Sequence, residues 1–179
     1  MTGASRLSSS SVWLAVRSLF WTIAFPGFFA GYVPWRFFGL SQVRPEAIGA
    51  AQIPALACIG AGAVLLAMCI VEFARSGRGT LSPLDPPREL VVRGLYRYVR
   101  NPMYLSVTTI VLGEAMLMRS SGLTVYWALW FVFVNMFVIG YEEPTLREMF
   151  GRSYEDYTRR VGRWIPKLLV VAVVCAGYV

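Results

Sequence analysis

The sequence predicts an all-α integral membrane protein with about four transmembrane helices, a cytoplasmic loop and a C-terminal amphipathic helix. Of its 179 residues 56% are hydrophobic and only 15% are charged, whereas an ordinary globular domain has roughly 25% charged residues. Four apolar runs also approach or exceed the ~20 residues that span a bilayer. These runs cover residues 12–38, 47–74, 102–118 and 122–141.

The first two runs are rich in small residues. Gly27 and Gly31 have the GxxxG spacing that lets a neighbouring helix approach closely, and Pro26 is expected to kink the first helix. In the second run, Gly60-Ala61-Gly62 lacks the third glycine of a dinucleotide fingerprint and follows no strand. We therefore interpret these glycines as helix-packing positions rather than a phosphate site.

Residues 75–101 separate the second and third runs and are predicted to form an ordered, irregular loop. Helix breakers interrupt the segment, namely Gly77, Gly79, Pro83, Pro86 and Pro87. The third helix is expected to begin at Pro102, which suits a first helical position, with Asn101 as its N-cap.

Residues 142–179 are predicted to form a C-terminal cap. Apolar residues recur there at steps of three and four, which is typical of an amphipathic helix or of a helix pair broken at Gly151. They are Leu146, Met149, Phe150, Tyr154, Tyr157 and Val161. The apolar tail 168–179 is too short to cross a bilayer and either lies at the interface or packs on the bundle. One domain is predicted: two spans (12–74), a cytoplasmic loop (75–101), a helical hairpin (102–141) and the cap (142–179).

The basic residues predict the orientation. Six lie in the 75–101 loop and six in the cap, whereas the turn after the third run has only Arg119. By the positive-inside rule, both rich segments and both termini face the cytoplasm. The net charge of +7 is spread over these membrane-flanking segments, so membrane lipids rather than nucleic acid are the expected partners.

The sequence contains no histidine and no CxxC motif, which excludes the usual zinc sites and histidine acid–base catalysis; no metal is predicted. The three cysteines lie in apolar runs and are expected to be core residues. Glu142 and Glu143 are adjacent carboxylates at a membrane surface, where cations or hydrogen-bond donors must compensate them. Glu114, near the outer end of the third run, is expected to pair with Arg119.

The motifs GLYRYVRNPMY (94–104) and EEPTLREMFGRSYEDY (142–157), separated by an apolar hairpin, resemble the isoprenylcysteine carboxyl methyltransferase and phospholipid methyltransferase superfamily. Its members are integral-membrane enzymes that use S-adenosylmethionine. The resemblance covers about residues 72–166. It implies methyl transfer from S-adenosylmethionine, entering from the cytoplasm, to a lipophilic acceptor that arrives from the bilayer.

The resemblance also implies the site. Catalytic roles fall to Arg100, Glu142 and Glu143. Apart from the resemblance, Asn135 and Tyr141 are polar, uncharged residues of the fourth run and are the expected hydrogen-bond partners of the acceptor. The implied cofactor contacts are Gly77, Gly79, Arg88, Glu89, Leu90, Val91, Tyr96, Arg100, Asn101, Pro102, Met103, Tyr104 and Glu142.

Two positions depart from the family pattern. Asn101 replaces a histidine, and Val138 stands where the isoprenylcysteine enzymes carry an arginine for the substrate carboxylate. A neutral or amine-bearing lipophile is therefore the expected acceptor, unless a cap cation such as Arg147 or Arg163 replaces the missing one. The alternatives are an NADPH-dependent membrane reductase of the sterol-reductase type and a non-catalytic membrane module.

Overall fold

The structure, a computed structural model, describes residues 24–39, 49–76, 90 and 92–167. This part of the chain is helical, and its only β pairing is an isolated bridge. In chain order the elements are a π-helical turn Phe28–Tyr32, α1 (Val33–Phe37), a 3-10 turn Ala50–Gln52, α2 (Ile53–Ser76), a 3-10 turn Gly94–Arg97, α3 (Pro102–Met118), α4 (Ser121–Phe137), a second π-helical turn Val138–Glu142, α5 (Glu143–Phe150) and α6 (Arg152–Arg160).

Two helices of the described chain are long and apolar enough to cross a membrane. One is the Ile53–Glu72 part of α2, and the other is the continuous run Ser121–Phe150 through α4, the second π turn and α5. Helix α3 coincides with the predicted third span but is a shorter apolar helix of 17 residues. The first predicted span is described only from residue 24 onward. The all-helical class is confirmed, whereas the count of four spans stays a prediction.

Helices α2 and α3 pack against each other through glycine. A methyl group on Gly62 would lie 2.8 Å from the Ser106 carbonyl oxygen, and one on Gly113 would lie 2.8 Å from the Ala55 carbonyl oxygen. These distances are too short for a side chain, so the two backbones touch. The packing role of Gly62 is thus confirmed, whereas Gly27 and Gly31 have no close neighbour in the described chain.

Helices α3 and α4 form an antiparallel hairpin whose turn contains Arg119 in the left-handed conformation (φ 50°). The Ser120 hydroxyl caps α4 by accepting a bond from the Leu123 amide. Deeper in the hairpin, the Trp130 indole donates to the Thr108 hydroxyl at 3.1 Å. The expected Glu114–Arg119 pair is wrong for a geometric reason: Glu114 is buried, while Arg119 is exposed on the turn.

The C-terminal cap is a pair of short helices joined at Gly151, whose φ of 50° favours glycine. The predicted break at Gly151 is therefore confirmed. Tyr154, Tyr157 and Val161 are buried against Leu90, Leu146 and Phe150. Met149, which the periodicity placed on the same apolar face, is exposed instead. Leu146 and Phe150 are about one turn apart and share the packed side of α5, whereas Met149 is turned about 100° from Phe150.

The cap is fastened to the segment before α3 by backbone and side-chain bonds. Val99 and Gly162 form a parallel bridge, and the Arg100 amide donates to the Gly162 carbonyl at 2.9 Å. The Asn101 side chain donates to the Arg163 carbonyl at 3.4 Å. Asn101 occupies the N-cap position of α3 as predicted, but its side chain does not cap the helix because this bond to the cap holds it.

Candidate active site

Three charged side chains from three different segments meet where the cap covers the α3–α4 hairpin. The Arg100 Nη1 donates to Glu143 Oε1 at 2.9 Å, while Arg163 donates from Nε to Oε1 at 2.6 Å and from Nη2 to Oε2 at 2.9 Å. The Glu143 side chain is only 12% exposed. This bond to Glu143 raises the pKa of Arg163. One carboxylate therefore holds two guanidinium groups in fixed positions.

The neighbouring acid has a different environment. Glu142 is the last residue of the second π turn, and its carboxyl group lies close to the Tyr104 hydroxyl of α3. A π turn widens the helix locally and is frequent at functional sites. The two adjacent acids thus face different partners: Glu143 faces arginines and Glu142 faces a tyrosine.

Two buried polar atoms at this site have no hydrogen-bond partner in the described chain. They are the Arg100 Nε donor and the Glu142 Oε2 acceptor. Leaving a buried donor or acceptor unsatisfied costs about 1–3 kcal/mol, and more for charged groups. Most buried polar groups in folded proteins are satisfied, so a donor and an acceptor left open at this site are candidate contacts for a polar ligand.

Tyrosines line the cap side of the site. The Tyr157 hydroxyl donates to the Tyr96 carbonyl at 2.7 Å. Burial raises the pKa of Tyr157 and raises that of Tyr96 well above the ordinary value, and burial also raises the pKa of Tyr154. These phenols are therefore neutral hydrogen-bond donors at physiological pH rather than bases.

The structure brings together most of the residues that the family resemblance implied. Arg100, Tyr104, Glu142 and Glu143 converge, and Tyr96 lies under Tyr157. Asn101, Pro102 and Met103, buried in the first turn of α3, accompany them. Leu90 packs in the cap cluster instead. Five predicted cofactor residues lie outside the described residues: Gly77, Gly79, Arg88, Glu89 and Val91.

The two residues predicted to contact the acceptor lie in different environments. The Asn135 Oδ1 already accepts a bond from the Trp164 indole at 3.0 Å, so it helps to fasten the cap. Tyr141 is 42% exposed and packs on Phe137, with ring centroids 5.2 Å apart. Val138, the position of the missing arginine, is fully buried in the apolar core.

Sequence reasoning gave the C-terminal strap Gly162-Arg163-Trp164 no specific role. Its carbonyl, guanidinium and indole groups each bind a different part of the site. The only sequence signal was that Arg163 is a cap cation able to replace the missing one. Arg147, the other such cation, is exposed.

Residues 51–153 match the family model of phospholipid methyltransferases. The chain belongs to the phospholipid methyltransferase family. This confirms the resemblance drawn from the two motifs. The matched residues of this phospholipid methyltransferase family member include Arg100, Tyr104, Glu142 and Glu143, whereas Arg163 lies beyond them.

Curated relatives carry names of the isoprenylcysteine branch. The chain is 30% identical over 108 residues to a probable protein-S-isoprenylcysteine O-methyltransferase of Oryza sativa subsp. indica, covering 59% of this chain and 56% of the relative. It is 32% identical over 118 residues to the protein-S-isoprenylcysteine O-methyltransferase of Schizosaccharomyces pombe, covering 64% and 49%. The Dictyostelium discoideum enzyme of the same name is 37% identical over 83 residues, covering 43% and 32%. The chain therefore spans about half the length or less of these relatives.

Proposed function

We propose that this protein transfers a methyl group from S-adenosylmethionine to a lipophilic acceptor dissolved in the membrane. Family membership supports the reaction class. The observation that carries the proposal at this site is the pair of open buried atoms, Arg100 Nε and Glu142 Oε2. In this proposal the protein is multi-pass, and the cofactor site and both termini face the cytoplasm, as the distribution of basic residues predicts.

The residues present fit the cofactor. Its methionine part carries a carboxylate and an ammonium group, and its ribose carries hydroxyls. Arg100 would bind the carboxylate through the open Nε donor, and Glu142 would accept from the ammonium or a hydroxyl through the open Oε2. The sulfonium supplies an electrophilic methyl group bonded to a neutral leaving group.

The chain's own residues mainly provide position. Glu143 fixes the Arg100 guanidinium from one side, and Arg163 holds Glu143 from the other. The Tyr104 hydroxyl lies close to the Glu142 carboxyl group and would help to orient it. Because these groups are locked before a ligand binds, little ordering remains to be done when the cofactor and the acceptor meet.

The charges at the site support an acceptor without a carboxylate. Arg100 and Arg163 both bind Glu143, and the cofactor carboxylate would take up the open Arg100 donor. Neither of these two arginines is then left for a second carboxylate, and buried Val138 supplies no charge. Leaving a carboxylate unpaired in such surroundings costs several kcal/mol. A neutral or amine-bearing lipophile fits this balance.

Calorimetric titration of the detergent-purified protein with S-adenosylhomocysteine, and separately with NADPH, tests the proposal. The first should bind and the second should not. Glu142→Gln should weaken S-adenosylhomocysteine binding roughly ten- to a hundredfold, since losing a hydrogen bond to a charged group costs about 1.5–3 kcal/mol. Glu148→Gln, the same change at an exposed cap position, is the matched control.

The other outcomes separate the alternatives. Binding of NADPH alone would select the membrane reductase, and binding of neither would select the non-catalytic module. Transfer of radioactive methyl from S-adenosylmethionine into extractable lipid, compared with transfer to a prenylcysteine carboxylate, then tests the acceptor class. Efficient methylation of the carboxylate would refute the charge argument.

A further inference from the structure

The two flanks of α4 contact different parts of the chain. On one flank, the ring centroid of Trp130 lies 4.5 Å from that of Phe29. On the other flank, Phe131 and Asn135 both contact Trp164 of the C-terminal strap. The rings of Phe131 and Trp164 are 5.5 Å apart, and the indole bond to Asn135 is 3.0 Å long. Phe131 is turned about 100° from Trp130 around the helix, and we call its flank the strap side.

Trp127 also lies on the strap side, and it has an open donor. It precedes Phe131 by about one helical turn, and its Nε1 atom is buried without a hydrogen-bond partner in the described chain. Trp130, by contrast, donates its indole hydrogen to Thr108. A buried donor without an acceptor costs about 1–3 kcal/mol. A neighbour that supplies an acceptor would therefore stabilise the strap side.

Helix α3 has an uncovered stripe next to the strap side. Going round this helix, the α2 contact at Gly113 is followed by Tyr104, whose ring is 6.4 Å from that of Phe25, and then by Thr108, which binds Trp130. The stripe comes after Thr108 and so lies on the side of α4 away from Phe25. Its residues are partly or fully exposed: Leu105, Thr109, Leu112 and Met116. The stripe and the strap side are the two walls of one largely apolar surface.

The strap leads the chain towards this surface. Lys167 follows Trp164 by three residues, and its Nζ donates to the Thr158 carbonyl at 2.9 Å and to the Arg159 carbonyl at 2.5 Å. The charge of Lys167 is thus held at the cap. Residues 168–179, which lie outside the described residues, contain no charged side chain. Lys167 therefore marks the point at which the chain can leave the polar cap for an apolar environment.

We propose that residues 168–179 pack as a helix against the strap side, between α4 and the uncovered stripe of α3. An apolar segment beside a membrane hairpin must satisfy its own backbone, which a helix does. As a helix these residues extend ~18 Å, and Trp127 lies about 12 Å along α4 from Asn135, where the strap is bound. The segment is therefore long enough to cover Trp127.

The segment suits this surface better than a lipid chain or a second copy of the protein. Ala172, Cys175 and Ala176 are small and share one face of the proposed helix, so its backbone can come close to Trp127. A carbonyl oxygen has two lone pairs, and one that already accepts a helix bond can also accept the indole hydrogen. A lipid acyl chain offers no acceptor, and a second copy lacks the covalent link that gives the segment a high effective concentration.

Disulfide crosslinking in isolated membranes tests the placement, with Cys175 as the natural reporter. Single cysteines replace residues of the two walls, namely Thr109, Leu112, Thr124 and Ala128, and, as matched controls, the exposed Leu129 and Phe133 on the other side of α4. After oxidation with copper phenanthroline, mass spectrometry quantifies the peptide linked to Cys175. Because a disulfide requires Cα atoms within about 7 Å, at least one position on each wall should crosslink fivefold or more above the controls. Cys175→Ser should abolish the product.

A second pair of variants tests the small face of the segment. Ala172→Leu should reduce the wall crosslinks at least fivefold, whereas Val174→Leu, on the opposite face of the proposed helix, should leave them unchanged. Equal effects of the two changes would overturn the proposed packing. The melting temperature of each variant checks that the hairpin is still folded.

The remaining outcomes identify another occupant. Crosslinks between two molecules, recognised by mixing isotopically light and heavy protein, would overturn the proposal in favour of a second copy. Equal crosslinking at wall and control positions, or none at the walls, would overturn it in favour of lipid. The readout is independent of S-adenosylhomocysteine binding, so this proposal and the methyl-transfer proposal fail separately.

Discussion

Replacing Glu143 by glutamine should release the C-terminal cap. The carboxylate accepts three hydrogen bonds, one from Arg100 and two from Arg163. The side chains of Glu143 and Arg100 are 12% and 13% exposed, whereas that of Arg163 is 31% exposed. Glutamine keeps the size of the side chain but removes the charge, and its amide nitrogen then faces a guanidinium group.

The burial of these three side chains sets how much stability the cap should lose. Removing one partner of a buried ion pair costs about 3–5 kcal/mol, and exposed pairs are worth about 0–1, so partial exposure of Arg163 places the expected loss near 2–4 kcal/mol. At ~1.4 kcal/mol per factor of ten, the open population of the cap should rise roughly thirty- to several hundred-fold.

Hydrogen exchange of the α6 amides, measured by mass spectrometry in detergent, reads this opening directly. Glu148→Gln is the control because it makes the same chemical change at an exposed position of the cap. Combining Glu143→Gln with Arg163→Met should cost about 1–3 kcal/mol less than the sum of the two single changes, since both remove the same interaction. Exchange in Glu143→Gln that stays within twofold of the control would refute the view that this carboxylate holds the cap.

Three further predictions follow. Gly62→Ala should destabilise the α2–α3 pair by about 1–3 kcal/mol and lower the melting temperature, because the new methyl group meets backbone atoms. Gly60→Ala is the control: Gly60 has no close neighbour in the described chain, so the melting temperature should not fall. Burial raises the pKa of Tyr157, so this proton leaves the unfolded chain at a lower pH than the folded one. The stability of the cap should therefore fall as the pH rises above about 10. Tyr157→Phe should make this fall smaller, as measured by hydrogen exchange from pH 8 to 11. Cysteine introduced at Ser121 should react with an impermeant thiol reagent in intact cells and cysteine at Ser82 should not; the opposite pattern would reverse the proposed orientation.

The identities and spacing of residues were enough to predict the helical class and the family. The apolar run 102–118 and the break at Gly151 are local features, and the structure reproduces both. The two motifs around Arg100 and Glu142 were enough to predict the family, which the family match confirms. Such features are readable from sequence because helix periodicity, proline and glycine act over only a few residues.

The close packing at Gly62 and Gly113, the different environments of Glu142 and Glu143, and the role of Arg163 came from the tertiary structure. Arg163 lies 63 positions after Arg100 in the chain, and its place beside Glu143 depends on the Val99–Gly162 bridge that seats the cap. Sequence periodicity carries no information about which distant segment will supply a counter-ion. It also does not show which buried atoms are left open, because an atom's hydrogen-bond partners are decided only when the helices have packed and excluded water.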